Sequence, residues 1–356
     1  MAKEARMIVG ISVGDLNGIG CEVVLKTFKD NRMLDFCTPV IFASTKDIAA
    51  QKKQLNLQVG TYGADTIEKI QHGKLNVLNV WKDPIDLTYG KPTPQAGHHA
   101  FLSLKAATQA LQEGKIDALV TAPINKNNIQ SDEFNFHGHT EYLESALDGK
   151  SLMLMISGDL RVGLLTNHVP IKEVSEKIDA ALIEEKVNTL HHTLVRDFRI
   201  RKPKIAILGI NPHVGDDGLI GDEDQKTLTP TVKKLFDQGK MVFGPYSADG
   251  FFGSGSHEKF DAILASYHDQ GLVPFKTLSF GNGVNYTAGL DKVRTSPDHG
   301  VAYEIAGKGQ ADERSFKEAV FTAIHIIRTR KEYKTITSKP LEKHSKRLQQ
   351  KSTSRR

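Results

Sequence analysis

The chain has 356 residues, 39% hydrophobic and 25% charged, which excludes a disordered chain and suits about two packed domains. No apolar run reaches the length of a membrane span, and the N-terminus lacks the features of a signal peptide, so a cytoplasmic protein with no membrane partner is expected. The net charge of +5 belongs to residues 339–356, where seven Lys or Arg face the single acid Glu342; the remainder is close to neutral, and nucleic acid is not expected as a partner.

Residues 7–13 form a β-branched apolar run, followed by the turn Gly14-Asp15-Leu16-Asn17-Gly18-Ile19-Gly20 and a helical pattern over 21–28. Such a turn can set backbone N–H groups against an anion, but its spacing is not that of a dinucleotide-binding G-x-G-x-x-G. The two cysteines, Cys21 and Cys37, are too few for a disulfide framework or a thiolate metal cluster and read as buried hydrophobes. Residues 39–44 and 75–80 predict strands, with helix-start chemistry at 45–47. Ala100, Leu104, Ala107 and Leu111 recur at helical spacing and predict a helix between 94 and 114. The strand expected over 117–121 runs into Ala122-Pro123-Ile124-Asn125-Lys126, which places a cation just past a strand end.

In the run from Phe136 to Leu143, a glycine turn sets His139 and Thr140 at a helix start. Thr140 can cap that helix, or the pair can receive an anionic substrate. Runs 152–156 and 162–166 read as paired strands around Gly158-Asp159, the second ending in Asn167-His168. A long helical region over 171–194 precedes a strand over 205–210 that ends in Asn211-Pro212-His213. Residues 215–224 read as an irregular acidic loop without the oxygen spacing of a calcium loop. A helix over 230–236 with Thr229 as its cap leads to a turn-rich connection over 244–250. In residues 260–276 an apolar strand-like run ends in His268 and Asp269, turns at Gly271 and Pro274, and delivers Lys276. Residues 283–288 read as a strand carrying Asn285. A polar loop with Arg294, Thr295, Asp298 and His299 then precedes helical patterns at 302–306 and 316–329, and the basic tail 339–356 reads as disordered. Strands alternating with helices imply an α/β protein with a mostly parallel sheet covered on both faces.

His168, His213 and His268 are far apart in sequence, yet each follows a strand-like run by one to three residues. Carboxyl ends of parallel strands lie along one edge, so the three imidazoles can converge into a divalent-metal site with open positions. Nitrogen ligands favour Zn or Co over Mg, with Mn also open. Lys276 and Arg294, with Asn285 between them, suit a phosphate or carboxylate. Asp269 can orient a histidine, act as a base, or cap a turn.

Taken together, several runs resemble the 4-hydroxythreonine-4-phosphate dehydrogenase family of pyridoxal phosphate biosynthesis. They are Gly14-Asp15 with Gly18-Ile19-Gly20, Thr121-Ala-Pro-Ile-Asn-Lys126, Gly138-His-Thr-Glu141, Asn211-Pro-His213, Gly218-Leu-Ile-Gly-Asp-Glu223, Tyr267-His-Asp-Gln-Gly271, Gly283-Val-Asn285 and Arg294-Thr-Ser296 with Asp298-His-Gly300. The resemblance covers the chain from its first strand to about Asp312. It departs from the family at Leu16-Asn17 and Cys21, where Pro-Ala and Pro are usual, and in the longer tail.

The resemblance implies His168, His213 and His268 as metal ligands, and His139, Thr140, Lys276, Asn285 and Arg294 as contacts to a phosphorylated substrate. It also implies two α/β/α domains like those of isocitrate and isopropylmalate dehydrogenases, NAD or NADP bound without a Rossmann fingerprint, and a homodimer with its sites near the interface. The implied reaction is the oxidative decarboxylation of 4-phosphohydroxy-L-threonine to 3-amino-2-oxopropyl phosphate, with Lys276 or Asp269 handling the proton. A phosphothreonate or phosphoerythronate dehydrogenase is the alternative within the class; a metal-dependent hydrolase and a phosphometabolite-binding protein lie outside it. By analogy with the related fold, residues 1–135 and 295–338 are expected to form one domain and 136–294 the other.

Overall fold

The computed structural model describes residues 6–338; the basic tail 339–356 lies outside the described residues. The first half of the fold runs β1 (Ile8–Ser12), α1 (Gly20–Thr27), α2 (Met33–Phe36), β2 (Thr38–Ala43), α3 (Thr45–Gln54), β3 (Thr61–Ala64), β4 (Leu75–Asn79), α4 (Pro94–Gln112) and β5 (Ala118–Thr121). The second runs α5 (His139–Ala146), β6 (Gly149–Ser157), β7 (Leu160–Leu164), α6 (Val174–Lys177), α7 (Ala180–Asp197), β8 (Ile205–Leu208), α8 (Thr229–Asp237), β9 (Val242–Tyr246), α9 (Ala248–Gly253), β10 (Ala262–Ala265), α10 (His268–Ser279) and β11 (Val284–Leu290). The chain then returns to the first half through β12 (Val293–Pro297) and α11 (Arg314–Thr337).

All twelve strands join one sheet in the order β3-β4-β2-β1-β5-β12-β11-β6-β7-β10-β8-β9. Pairing is parallel except at β12/β11, β11/β6 and β6/β7. The expected α/β class with a mostly parallel sheet is what the chain adopts. Strands β2, β5, β8 and β10 are buried at every position, as strands covered by helices on both faces must be. Cys21 and Cys37 are both buried and unpaired. No helix among the described residues is long and apolar enough to cross a membrane.

Three strands escape a sequence reading, each for a local reason. Strand β3 is a half-exposed edge containing a glycine, and β9 is an edge carrying Pro245. Strand β12 is buried throughout although its sequence is Val-Arg-Thr-Ser-Pro, so the segment expected as a polar loop is a central strand. Because β12 begins at Val293, the expected domain boundary at 294/295 cuts through it; the direction of the sheet changes between Leu290 and Val293.

The helices differ in detail as well. The region 171–194 is broken into a 3₁₀ turn, α6 and α7, the last capped by Asp179, which accepts from the Leu182 amide at 2.7 Å. Thr229 is not a cap, because a π turn over Asp224–Leu228 runs directly into α8. Thr140 is not a cap either: Gly138 holds that position, and Thr140 lies inside the first turn of α5. Most consequential is α10. Gly271 and Pro274, expected as turns, lie inside a helix that starts at His268. Gly271 is where that helix presses on the sheet, since a Cβ there would stand 2.9–3.0 Å from Leu164, Ala265 and Val162 side-chain atoms.

Behind the sheet, α7 and α11 are clamped to β11 around the buried carboxylate of Asp197. Arg196 Nε donates to it at 2.6 Å, Arg330 Nε at 2.8 Å and the Tyr286 hydroxyl at 2.5 Å. Removing one partner of such a cluster strands a buried charge and costs about 3–5 kcal/mol.

The close seat of α10 yields a test. Gly271→Val should destabilise the protein by about 1–3 kcal/mol through overpacking and lower the urea midpoint. An unchanged midpoint would mean that α10 is not tightly docked.

Candidate active site

The site lies on one face of the central strands. Across that face, Ser296 of β12, Asn285 of β11 and Met155 of β6 stand in one cross-strand row; Arg294 and Met153 belong to the next. Helix α5 approaches β6 on the same side, and α10 crosses above β7 with its first turn at His268 and its last at Lys276. Between them is a cavity of about 280 Å³. The loop after β5 supplies Lys126, and the segment after β12 supplies Asp298 and His299.

Six of the residues expected from sequence line this cavity on the substrate side or beside it: His139, Thr140, His268, Lys276, Asn285 and Arg294; His168 joins them from the loop after β7. The histidines were expected at one edge of a mostly parallel sheet, at the carboxyl ends of its strands. That holds for β7, β10 and β8, which are parallel neighbours, but they run opposite to β5 and β12. The cavity therefore joins a face of the sheet to a strand-end edge.

Arg294 is 2% exposed and has no carboxylate partner among the described residues. Its Nε and Nη2 donate to Thr121 Oγ1 at 3.1 and 2.6 Å, and its Nη1 donates to Thr287 Oγ1 at 3.0 Å. Burial pulls its pKa down to about 9, opposed by nearby Glu141, so the guanidinium stays charged at neutral pH. Around it, His139 Nε2, Asn285 Oδ1, Glu141 Oε2 and His299 Nε2 are buried without a partner. Orphaned polar atoms are costly unless a ligand meets them. Their concentration around one cavity, beside the Arg294 guanidinium, marks a site shaped for a polar molecule that brings both donors and an anionic group.

Burial first, then the charges of Arg294 and Lys126, hold His139 well below the ordinary histidine pKa, so its ring is neutral. His168 lies between Lys126 Nζ, 3.4 Å from its Nε2, and Glu141 Oε1, 3.6 Å from its Nδ1. The neighbouring His168 holds the Glu141 carboxyl below the usual range. The His168 and His268 rings stand 5.7 Å apart between centroids. His268 Nδ1 is 2.7 Å from Asp269 Oδ1; with Nδ1–H donating to that carboxylate, Nε2 is left with its lone pair free.

Two imidazoles at this separation can meet one divalent ion, given metal–nitrogen bonds of about 2 Å, and the carboxylate behind His268 is the usual outer support of such a ligand. His213 does not complete the set. Among the described residues no group of three or more His, Cys, Asp or Glu is gathered closely enough to hold a metal. The physical reason is local: His213 to Asp217 all have positive φ, and this left-handed segment carries His213 on the surface, outside the cavity. Of the roles open to Asp269, its geometry favours orienting His268. Its side chain is 79% exposed, grips His268 and does not line the cavity.

Lys126, Glu141, Thr121 and His299 line the cavity without having been singled out as site residues. Lys126 carried a usable signal, since it follows a strand end as the histidines do. Glu141 did too, lying in the same short run as His139 and Thr140. Thr121 opened the run ending in Lys126 that carries the resemblance, whereas Thr287 carried no signal.

Acid sensitivity offers a check on His139. A histidine whose folded pKa lies below its unfolded value of about 6.5 binds its proton more readily when unfolded, so stability falls as pH drops below about 6.5. His139→Gln should show a smaller loss of stability between about pH 7.5 and 5.5 than the parent in urea titrations. An equal loss in both proteins would remove His139 as a buried neutral group.

The family described as "Pyridoxal phosphate biosynthetic protein PdxA" matches residues 35–323. A 4-hydroxythreonine-4-phosphate dehydrogenase of Bacteroides thetaiotaomicron is 48% identical over 343 residues, covering 96% of this chain and 94% of the relative. A D-threonate 4-phosphate dehydrogenase of Cupriavidus necator is 36% identical over 317 residues, covering 88% and 95%. Among solved structures, a 4-hydroxythreonine-4-phosphate dehydrogenase from Klebsiella pneumoniae superposes with a TM-score of 0.78 at 29% identity, covering 92% of this chain and 99% of that one.

Proposed function

The chain belongs to the PdxA family of pyridoxal phosphate biosynthetic proteins and is an oxidoreductase, and from that premise we propose that it oxidatively decarboxylates 4-phosphohydroxy-L-threonine with NAD or NADP and a divalent metal, Zn or Co by its nitrogen ligands. The observation that carries this reading is the buried, carboxylate-free Arg294 on the cavity floor. A fixed cation there suits a phosphate or carboxylate. His139, Thr140, Asn285 and Lys276 surround it and are assigned to the same substrate. Glu141, an ionised carboxylate with one oxygen unpartnered, is the wall group suited to the substrate's ammonium. That acid favours the amino substrate over a phosphothreonate, which carries no ammonium.

His168 and His268 are the ligands this cavity offers to the metal, and Asp269 sets the His268 ring through its Nδ1. A bound divalent ion would supply Lewis acidity toward the substrate's alcohol and keto oxygens, and a nicotinamide would serve as the hydride acceptor. The chain's own work is to bind and orient. Arg294 and His139 hold the anionic end, Asn285 adds an amide contact, and the neutral His139 ring keeps further positive charge out of the pocket. Lys276 Nζ, anchored on the Asp298 carbonyl at 3.2 Å, is the group assigned to hold and move the proton.

The third imidazole is assigned to His213 within a homodimer that works in the cytoplasm. Its support is exposed apolar side chains: Leu219, six residues beyond His213, is 83% exposed, and Val273 of α10 and Phe280 just past its end are also exposed. A second copy packed on this face would cover those side chains and bring an exposed imidazole to a site one ligand short.

The decisive assay follows reduced nicotinamide by absorbance with 4-phosphohydroxythreonine, and in parallel with D-threonate 4-phosphate, in the presence of Zn or Co. Turnover of the amino substrate is expected, and Arg294→Met should reduce kcat/KM by about 100-fold or more, as truncating a buried charged contact does. Preference for the threonate would overturn the substrate assignment, while phosphate release without reduced cofactor would point to a hydrolase.

The metal assignment is read by calorimetry. Asp269→Ala should weaken Zn or Co binding by about 10–100-fold, whereas Lys276→Met should leave binding intact and lose turnover. Unaltered affinity in Asp269→Ala would remove the orienting role.

A further inference from the structure

We infer that Thr121 and Thr287 are positioning residues, holding the guanidinium of Arg294 through neutral hydroxyl acceptors so that its charge and two of its N–H groups are presented to the substrate's oxyanion. The inference rests on the reading of Arg294 as the substrate's anion contact.

Arg294 sits on β12, between β5 and β11 in the sheet. Thr121 closes β5 and Thr287 is central in β11, so each neighbouring strand contributes one hydroxyl. Both threonines are 0% exposed. Of the five guanidinium N–H groups, three are taken: Nε–H and one Nη2–H by Thr121 Oγ1, and one Nη1–H by Thr287 Oγ1. One N–H on each terminal nitrogen is left, enough for a two-point contact with a phosphate or carboxylate.

The chemistry of the acceptors matters as much as their place. A buried guanidinium needs acceptors for its donors, and a carboxylate is the common choice. A carboxylate here would cancel the charge and compete with the substrate for the same fork. Hydroxyls satisfy the donors without placing a counter-charge on the fork, so that partial opposition comes from Glu141 nearby. Threonine also suits the task because its β-branch restricts χ1 on a strand, which fixes the direction of Oγ1 and so of the fork. Since Thr121 belongs to one half of the sheet and Thr287 to the other, the aim of Arg294 depends on the register of both halves with β12.

The test is steady-state kinetics with 4-phosphohydroxythreonine at saturating nicotinamide and metal, together with the competitive inhibition constant of inorganic phosphate. Thr121→Val keeps shape and removes the acceptor. It should raise KM and the phosphate inhibition constant by about tenfold, the worth of a hydrogen bond to a charged group, with a smaller change in kcat. Thr121→Ser should restore both to near the parent value, and Thr287→Val should shift them in the same direction by less. Unchanged KM and inhibition constant in both valine variants, or failure of a folded Thr121→Ser to restore them, would overturn the inference. If Thr121→Val does not fold, Thr287→Val and Thr121→Ser decide it. Arg294→Met separates the two levels: if it is silent, the reading of Arg294 itself falls, whereas a crippled Arg294→Met beside silent threonine variants removes only the positioning role.

Discussion

The site depends on one positive charge kept inside the sheet. Arg294 points from a buried strand into a cavity, and the sheet solves the problem of its desolvation with two hydroxyls rather than with a counter-charge. That solution is tolerable because the guanidinium is partly opposed by Glu141 nearby; under the proposed function, an anionic substrate would supply the rest of the opposing charge.

The second constraint is the change of strand direction at the centre. Antiparallel pairing through β11 and β6 places a residue of each strand in a common cross-strand row. Residues 155, 285 and 296, distant along the chain, thereby become one surface. Because β7, β10 and β8 run opposite to β5 and β12, loops leaving the two halves reach the cavity from different sides. Helix α10 then folds back over the face and puts His268 and Lys276 on its rim. The fit of that helix, set by a residue without a side chain at 271, ties packing directly to the site.

Histidine placement follows the same logic. His168 and His268 leave adjacent parallel strands and meet, whereas His213 leaves the next strand into a left-handed segment that carries it outward. The anchor of that segment is the buried Asp224 carboxylate, which accepts the Ile210 and Asn211 amides at 2.7 and 2.9 Å. Strand-end position is therefore a good guide to which edge a side chain leaves, and a poor guide to where a turn sends it.

Much of this was determined by the sequence alone. Alternating apolar runs and helical spacings dictate the α/β class, because burial of those faces leaves few other layered solutions. The residue types at positions 139, 140, 168, 268, 276, 285 and 294 already imply an anion and a metal, since their chemistry is intrinsic to the side chains. What only the tertiary structure decided is their company: that Arg294 lies on a strand and not in a loop, that Asp269 supports His268 from outside the cavity, that His213 stands apart, and that Thr121 and Thr287 aim the guanidinium. Local sequence encodes what a residue can do, but such partnerships join strands far apart in the chain. They are settled by sheet register and backbone direction, which depend on the packing of the whole fold.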